Sequence, residues 1–213
     1  MADMASAPVM TLDRRYFVSP EVFEDESEKV FHERWLYIGR ASQAEKAWDY
    51  FTAQIGDESL IALRGDDGEL RVFYNHCRHR GTQLVTEHAG HCGKRLSCPY
   101  HAWSYAHDGR LIGAPHMEET PGFNKVDYPL HRPAQAIWEG CVYVNFSSNP
   151  KPFERAFAPV LKKFAPWHLR ALQPMHREEY DVAANWKLIC QNYSECYHCP
   201  TVHPALEKLS HYR

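Results

Sequence analysis

The spacing of hydrophobic residues changes along the chain, and each change predicts a different kind of element. Between residues 20 and 34 they recur every three to four positions with acidic residues near the start, which predicts an amphipathic helix. From residue 36 to residue 146 the hydrophobic runs become short and alternating, as in β-strands. Two of these runs flank Gly65-Asp66-Asp67-Gly68, which is a hairpin signal. This region therefore predicts a small all-β domain built from hairpins.

Helical spacing returns in the C-terminal third of the chain. Residues 151–164 predict a short helix interrupted at Pro159, and residues 176–186 predict a long strand. Residues 185–199 predict a further helix because their large apolar side chains recur at near-helical spacing, and Pro200 is expected to end it. The chain as a whole is therefore predicted to have an α+β fold.

These patterns divide the chain into three predicted segments. An N-terminal segment with its helix spans residues 1–35, and the all-β domain spans residues 36–165. Residues 166–213 are predicted to begin a second domain that the chain does not complete. A length of 213 residues is sufficient for one large domain or two small ones with a hydrophobic core.

Composition and charge exclude several classes of protein. With 44% hydrophobic and 24% charged residues the composition is that of an ordinary globular protein, and its apolar runs are too short to predict a membrane span. A net charge of -3 without long runs of one sign gives no indication of nucleic acid or an anionic membrane as partner. The first twelve residues lack the features of a secretory signal, so a cytoplasmic location is expected.

Cysteine and histidine are the residue types that change this picture. Seven cysteines, an odd number without a secretory signal, indicate free thiols or metal ligands better than a disulfide framework. Two short clusters, Cys77-Arg78-His79 and Cys98-Pro99-Tyr100-His101, each offer one thiolate and one imidazole. Two such loops can hold one binuclear centre, with both cysteines on one iron and both histidines on the other.

A structural zinc site is the alternative interpretation, because two cysteines and two histidines are a common zinc ligand set. Zinc fingers usually place the cysteines together and the histidines together. Here each loop carries one of each, with Cys-x-His in the first and Cys-x-x-His in the second. This mixed spacing favours the iron–sulfur cluster.

The residues around these ligands resemble the Rieske domain of the Rieske non-haem iron oxygenases, the ring-hydroxylating oxygenase α-subunit family. The resemblance starts from CRHRG and CPYHAWSY and includes RGDDGELRVFYN, YAHDGRL and WEGCVYVNF. It implies that Cys77, His79, Cys98 and His101 hold a [2Fe-2S] cluster, and that a helix-grip-like catalytic domain follows. Trp103 and Tyr105 are expected to pack under the cluster.

A second constellation lies near the C-terminus, where Glu195, His198 and His203 occur within nine residues. On a helix Glu195 and His198 would share a face, and a break at Pro200 would let His203 fold back toward His198. Two histidines and one carboxylate form the facial triad of Fe(II) oxygenases. A His-x4-His pair alone is a weak signal, and packing or coincidence explains most such pairs.

Within NWK…NYSECYH this pair resembles the iron motif of the same family. The resemblance implies that His198 and His203 ligate a mononuclear Fe(II), with the third ligand an aspartate beyond this chain, so the sequence is expected to be a fragment. Glu195 is implied to bridge to a Rieske histidine of a neighbouring subunit. Most members have aspartate there; the spelling ECYHC occurs in a subgroup of which some members act on quaternary ammonium compounds.

The resemblance further implies an oxygenase that activates O2 for hydroxylation of an aromatic compound or for hydroxylation or demethylation of a quaternary amine. Its electrons come from NAD(P)H through a flavin/iron–sulfur reductase, and the full-length protein is expected to form a homotrimer. A Rieske ferredoxin-type electron carrier and an inactive truncated remnant are the alternatives. Cys190, Cys196 and Cys199 are expected to be small buried packing residues.

Overall fold

A computed structural model describes residues 10–209 of the chain. Contacts between these residues group them into two compact units, one of residues 27–176 and one of residues 10–26 together with 177–209. No hydrophobic pattern indicated that the N-terminal segment groups with the C-terminal one. The domain boundaries at residues 35 and 165 stay predictions.

The larger unit consists of short strands in three antiparallel sheets. Within residues 10–209 the strands are β1 Leu36–Arg40, β2 Asp49–Ile55, β3 Glu58–Arg64, β4 Leu70–Tyr74, β5 Ala89–His91, β6 Leu96–Ser97, β7 Ser104–Tyr105, β8 Leu111–Gly113, β9 Ala134–Trp138 and β10 Cys141–Asn145. The sheet orders are β1-β10-β9, β4-β3-β2-β5 and β6-β7-β8. The fold is α+β, as predicted.

The predicted hairpins are confirmed. Strands β3 and β4 pair around residues 65–68, β7 pairs with β8, and β9 pairs with β10. The β7–β8 turn requires Gly109, which has a φ of +90°. A Cβ atom at this position would also lie 2.5 Å from Cε1 of Phe73, so the turn packs directly on the core.

Strand β3 separates two hydrophobic cores because successive side chains point to opposite faces of its sheet. Leu60 and Ala62 pack with Val142 and Val144 of β10 on one face. Ile61 and Leu63 belong to the other core, which also contains these buried residues of the β6-β7-β8 sheet and the loops around it: Cys77, Leu84, Leu96, Cys98, Trp103, Tyr105, Leu111, Ala114 and Leu130. The second core therefore includes both predicted cluster cysteines.

The helices between residues 10 and 209 are short. The α-helices are α1 Arg15–Val18, α2 Pro20–Glu26, α3 Phe153–Ala156, α4 Trp186–Ser194, α5 Cys199–Val202 and α6 Pro204–Leu209. A π-helix spans Ser27–His32, and 3-10 turns span Ala41–Gln43, Lys125–Asp127, Ala165–Trp167, Leu169–Ala171 and Cys196–His198. No α-helix in this part of the chain has the length and apolar character that crossing a bilayer requires.

Three predicted elements differ from the structure. Of the helix predicted over residues 20–34, only α2 is α-helical, and a wider π-helical segment follows it. The helix over 151–164 is reduced to α3 with turns after it. Residues 176–186 contain no strand, because an extended segment becomes a strand only by pairing, and none of the described strands pairs with it.

In the smaller unit, polar contacts join the N-terminal segment to the start of α4. The Glu26 carboxylate accepts hydrogen bonds from Trp186 Nε1 at 2.9 Å and from Lys187 Nζ at 2.5 Å. Asn185 caps α4 by accepting from the Lys187 amide at 3.0 Å, and its side chain donates to the carbonyl of Phe17 at 3.3 Å. These contacts hold the helix that leads into the predicted iron motif.

A buried asparagine connects the two ends of the first cluster loop. Asn75 is fully buried; its Oδ1 accepts from the amides of Leu84 at 3.2 Å and Val85 at 3.1 Å. Its Nδ2 donates to Ser59 Oγ at 3.1 Å and to the Val85 carbonyl at 2.8 Å. The loop between β4 and Leu84 is therefore held by side-chain amide bonds as well as by the sheet.

Replacing this side chain tests its contribution to stability. We expect Asn75→Ala to lower the free energy of unfolding by about 3 kcal/mol, because buried backbone groups lose their partners. Chemical denaturation measures this change, and Asn149→Ala, at an exposed position, is the matched control. Equal stability of the two variants would show that the amide network does not hold the loop.

Candidate metal centres

The two predicted cluster loops have the same backbone hydrogen-bonding pattern. The Cys77 amide donates to the Thr82 carbonyl at 2.8 Å, and the Cys98 amide donates to the Trp103 carbonyl at 2.8 Å. Each cysteine carbonyl also accepts from the amide four residues later, that of Gly81 at 2.9 Å and that of Ala102 at 3.1 Å. Each loop is thus a closed turn with its cysteine at the base.

Both turns close through a residue in the left-handed region of backbone conformation. In the first loop this residue is Gly81, with φ +73°, a conformation that glycine adopts without steric cost. In the second loop it is Ala102, with φ +58°, a conformation that costs a residue with a Cβ atom about 1 kcal/mol. The strain at Ala102 shows that the surrounding structure imposes the shape of the second loop.

The structure sorts the four predicted ligands by kind. The Cys77 and Cys98 side chains are buried and in contact with each other, whereas both histidines are exposed. The rings of His79 and His101 meet edge to face with centroids 4.8 Å apart. This arrangement fits a binuclear cluster with a thiolate-bound iron inside and an imidazole-bound iron at the surface.

Two aromatic residues of the second core support this site, as expected. The Trp103 ring stacks on His79 at 4.8 Å with an interplanar angle of 10°, and it is itself enclosed by Phe123 and Tyr128. The Tyr105 hydroxyl accepts from the Arg78 amide at 3.0 Å and lies 3.2 Å from Cys77 Sγ. Either group can donate in the thiol form, but a metal-bound thiolate has no proton, so the Tyr105 hydroxyl would then be the donor.

Burial and neighbouring groups shift the acid–base properties of two predicted ligands. Burial raises the pKa of the Cys77 thiol, and the neighbouring Cys98 raises it further. The hydrogen bond with the Tyr105 hydroxyl lowers this pKa. The pKa of His79 is lowered by partial burial and further by His101 and Arg80. The lowered pKa favours the neutral form of His79, which is the form that ligates metal, whereas the Cys77 thiol must lose its proton to bind iron.

The second predicted site lies in the smaller unit, where His198 and His203 come together. Their rings are 5.4 Å apart at an angle of 73°. The His203 amide donates to the Cys199 carbonyl at 2.9 Å, which returns the chain toward His198. Two imidazoles at this separation can occupy neighbouring positions around one metal ion.

The route by which the chain reaches this arrangement differs from the prediction. Helix α4 ends at Ser194 because Glu195 is extended, with φ -113° and ψ 103°, so Glu195 and His198 do not share a helix face. Pro200 lies in the first turn of α5, where a proline fits, and does not end the longer helix. The Glu195 carboxylate is exposed.

The cysteines near this site were expected to be buried packing residues, which is correct only for Cys199. Cys190 on α4 and Cys196 are exposed. Within residues 10–209 no three His, Cys, Asp or Glu side chains converge closely enough to hold one metal ion. What the structure presents is a cysteine pair beside a histidine pair in the larger unit, and a separate histidine pair in the smaller one.

Comparisons with known proteins match both regions. Residues 34–124 match the Rieske [2Fe-2S] domain, and residues 169–213 match the catalytic domain of the ring hydroxylating alpha subunit. The chain belongs to the Rieske oxygenase α-subunit family. The Rieske domain match supports a [2Fe-2S] cluster in the larger unit.

The relatives within this family include monooxygenases and dioxygenases. The chain is 34% identical to the glycine betaine monooxygenase oxygenase subunit of Chromohalobacter salexigens, over 92% of this chain and 44% of the relative. It is 35% identical to the carnitine monooxygenase oxygenase subunit of Escherichia coli K12, over 92% and 52%. Identity to the biphenyl 2,3-dioxygenase α-subunit of Rhodococcus jostii is 27%, over 94% and 45%.

A solved structure agrees with this assignment. The quaternary ammonium Rieske monooxygenase CntA, in complex with L-carnitine, superposes with a TM-score of 0.84 at 31% identity, over 91% of this chain and 55% of that one. The chain spans about half the length of the curated relatives that it matches, between 44% and 52% for the three proteins named above.

The Tyr105 hydroxyl gives a test of the cluster site within this Rieske domain. We expect Tyr105→Phe to lower the reduction potential of the [2Fe-2S] cluster by about 50 mV, since a hydrogen bond to sulfur stabilises the reduced, more negative form. An EPR-monitored redox titration measures the shift. Tyr128→Phe is the control, because that ring packs beside Trp103 and its hydroxyl does not contact Cys77. An unchanged potential in Tyr105→Phe would contradict the contact.

Proposed function

We propose that this chain forms part of the oxygenase component of a Rieske non-haem iron system. Electrons from NAD(P)H reach it through a flavin/iron–sulfur reductase and drive the activation of O2 for oxidation of a small organic substrate. The observation that carries this proposal is the presence of two different histidine arrangements in one chain. An electron carrier needs the pair beside Cys77 and Cys98 but has no use for His198 and His203.

The proposed ligands divide between two centres. Cys77 and Cys98 hold one iron of the [2Fe-2S] cluster, and His79 and His101 hold the other. His198 and His203 supply two neighbouring ligands to a mononuclear Fe(II), with a carboxylate from elsewhere as the third. When bound, the cluster supplies single electrons and the mononuclear iron binds O2.

The chain contributes burial and orientation to this chemistry. Burial of Cys77 and Cys98 keeps water from the thiolate side, and Trp103 fixes the ring plane of His79 by stacking. The exposed rings of His79 and His101 leave the imidazole side open to a partner. The imidazole edge of the larger unit is therefore the side on which a bound cluster would be accessible to a redox partner.

Glu195 is proposed to accept a hydrogen bond from a Rieske histidine of a neighbouring subunit in a homotrimer. Its exposed carboxylate, three residues before His198, supports this role, because such a group can reach another chain while staying next to the mononuclear iron. Within one subunit the proposed mononuclear ligands and cluster ligands occupy separate compact units.

A quaternary ammonium compound is the proposed substrate class, with monooxygenation as the reaction. The relatives named for glycine betaine and carnitine are 34% and 35% identical, compared with 27% for the biphenyl dioxygenase subunit. The pentapeptide from Glu195 to Cys199 supports the same class. A cytoplasmic location agrees with a reaction that draws on NAD(P)H. Oxidation of an aromatic compound instead of a quaternary amine would contradict the proposed substrate class.

Iron content and oxygen consumption test the function together. We expect the protein that carries this sequence to contain about three irons per chain and, with a reductase, to consume O2 when glycine betaine or carnitine is added. His198→Ala is expected to lose about one iron and all substrate-dependent O2 consumption while keeping the Rieske EPR signal. His88→Ala, at an exposed loop position, is the control. Two irons per chain in the unaltered protein would favour the electron carrier.

The bridging role of Glu195 has a separate test. We expect Glu195→Ala to keep both iron centres but to slow re-oxidation of the reduced cluster by O2 and substrate at least about a hundredfold, because the link between subunits is lost. Stopped-flow absorbance of the cluster measures this rate. Glu24→Ala, an exposed acid on α2, should leave it unchanged. Normal re-oxidation in Glu195→Ala would refute the bridge.

A further inference from the structure

The two cysteines on either side of Tyr197 and His198 are held at the separation that a disulfide needs. The Cys199 amide donates to the Cys196 carbonyl and closes a 3-10 turn. In such a turn side chains three residues apart are eclipsed, and a rise of about 2 Å per residue places their Cα atoms about 6 Å apart. Disulfides commonly span Cα separations of about 4.4–6.8 Å, and the separation in this turn falls within that range.

The side chains themselves complete this arrangement. The Cys196 side chain interacts with the Cys199 thiol and, together with burial, raises its pKa. Cys196 is exposed whereas Cys199 is buried, so a solution oxidant meets the first thiol before the second. Cys190, exposed on the preceding helix α4, stands outside the turn and provides a built-in comparison.

We propose that Cys196 and Cys199 form a thiol redox site that closes to a disulfide when hydrogen peroxide reaches it. The Cys196 sulfur attacks the peroxide O–O bond, becomes a sulfenic acid and releases one water. The Cys199 sulfur then attacks the Cys196 sulfur, its proton leaves with the hydroxyl group as a second water, and the S–S bond forms. Two thiols are oxidised by two electrons while one peroxide is reduced to two waters.

The disulfide closes a ring from Cys196 to Cys199, and this closure acts on both histidines of the second pair, His198 and His203. His198 lies inside the ring, between the bonded cysteines. His203 is connected to it through its amide hydrogen bond to the Cys199 carbonyl, at 2.9 Å. Control of iron binding by the disulfide rests on the proposed function, whereas formation of the disulfide does not.

Thiol mapping tests the site without depending on turnover. The reduced chain is treated with hydrogen peroxide, its remaining thiols are alkylated, and its peptides are analysed by mass spectrometry. We expect Cys196 and Cys199 to lose alkylation together, to appear as an intramolecular disulfide, and to regain alkylation after dithiothreitol. Cys190→Ser should give the same disulfide. Continued alkylation of both thiols, or oxidation of Cys196 alone to a sulfinic acid, would overturn the proposal.

Two variants separate the roles of the cysteines. In Cys199→Ser we expect Cys196 to stop at a sulfenic acid that dimedone traps, because the second thiol is absent. In Cys196→Ser the buried Cys199 should remain alkylatable after peroxide once the chain is denatured. Dimedone labelling of Cys199 in that variant would contradict the assigned order. If the protein shows these results but has no oxygenase activity, the proposed function is wrong whereas the redox site is supported.

Discussion

Burial of Cys77 and Cys98 between the hairpin sheets is the constraint on which the rest of the larger unit depends. A thiol is small and weakly polar, so it packs in an apolar core at little cost, and a loop that ends in a buried thiol is anchored there. Each cysteine also closes its own loop through two backbone hydrogen bonds. The same two residues therefore belong to the core and to the base of the proposed metal site.

The exposed side of the site follows from this anchoring. With both cysteines held inside, the chain continues outward within two or three residues, which brings His79 and His101 to the surface and to each other. Trp103 and Tyr105 extend the apolar floor beneath them, and the Tyr105 hydroxyl reaches the Cys77 sulfur. A site built in this way is buried on the thiolate side and open on the imidazole side, which suits the proposed exchange of electrons with a partner.

The smaller unit is held by different forces. Polar contacts of Glu26 with Trp186 and Lys187 hold the start of α4, and the chain after Ser194 is a succession of short turns. These short turns bring together Cys196 and Cys199, which are three residues apart, and His198 and His203, which are five residues apart. One local geometry thus produces a pair of possible iron ligands and a pair of neighbouring thiols.

The hairpins, the two Cys–His loops and the family could be predicted from the sequence, because each depends on residues near one another in the chain. Three features could not be predicted in this way, because they depend on contacts between segments: the strain at Ala102, the bonds from Asn75 to both ends of the first loop, and the grouping of residues 10–26 with 177–209. The end of α4 at Ser194 was not predictable from the hydrophobic spacing either, since that spacing continues past Glu195 whereas the helical backbone conformation does not. Local pattern specifies which turns and ligands are available; packing between segments distant in the chain specifies where each of them lies.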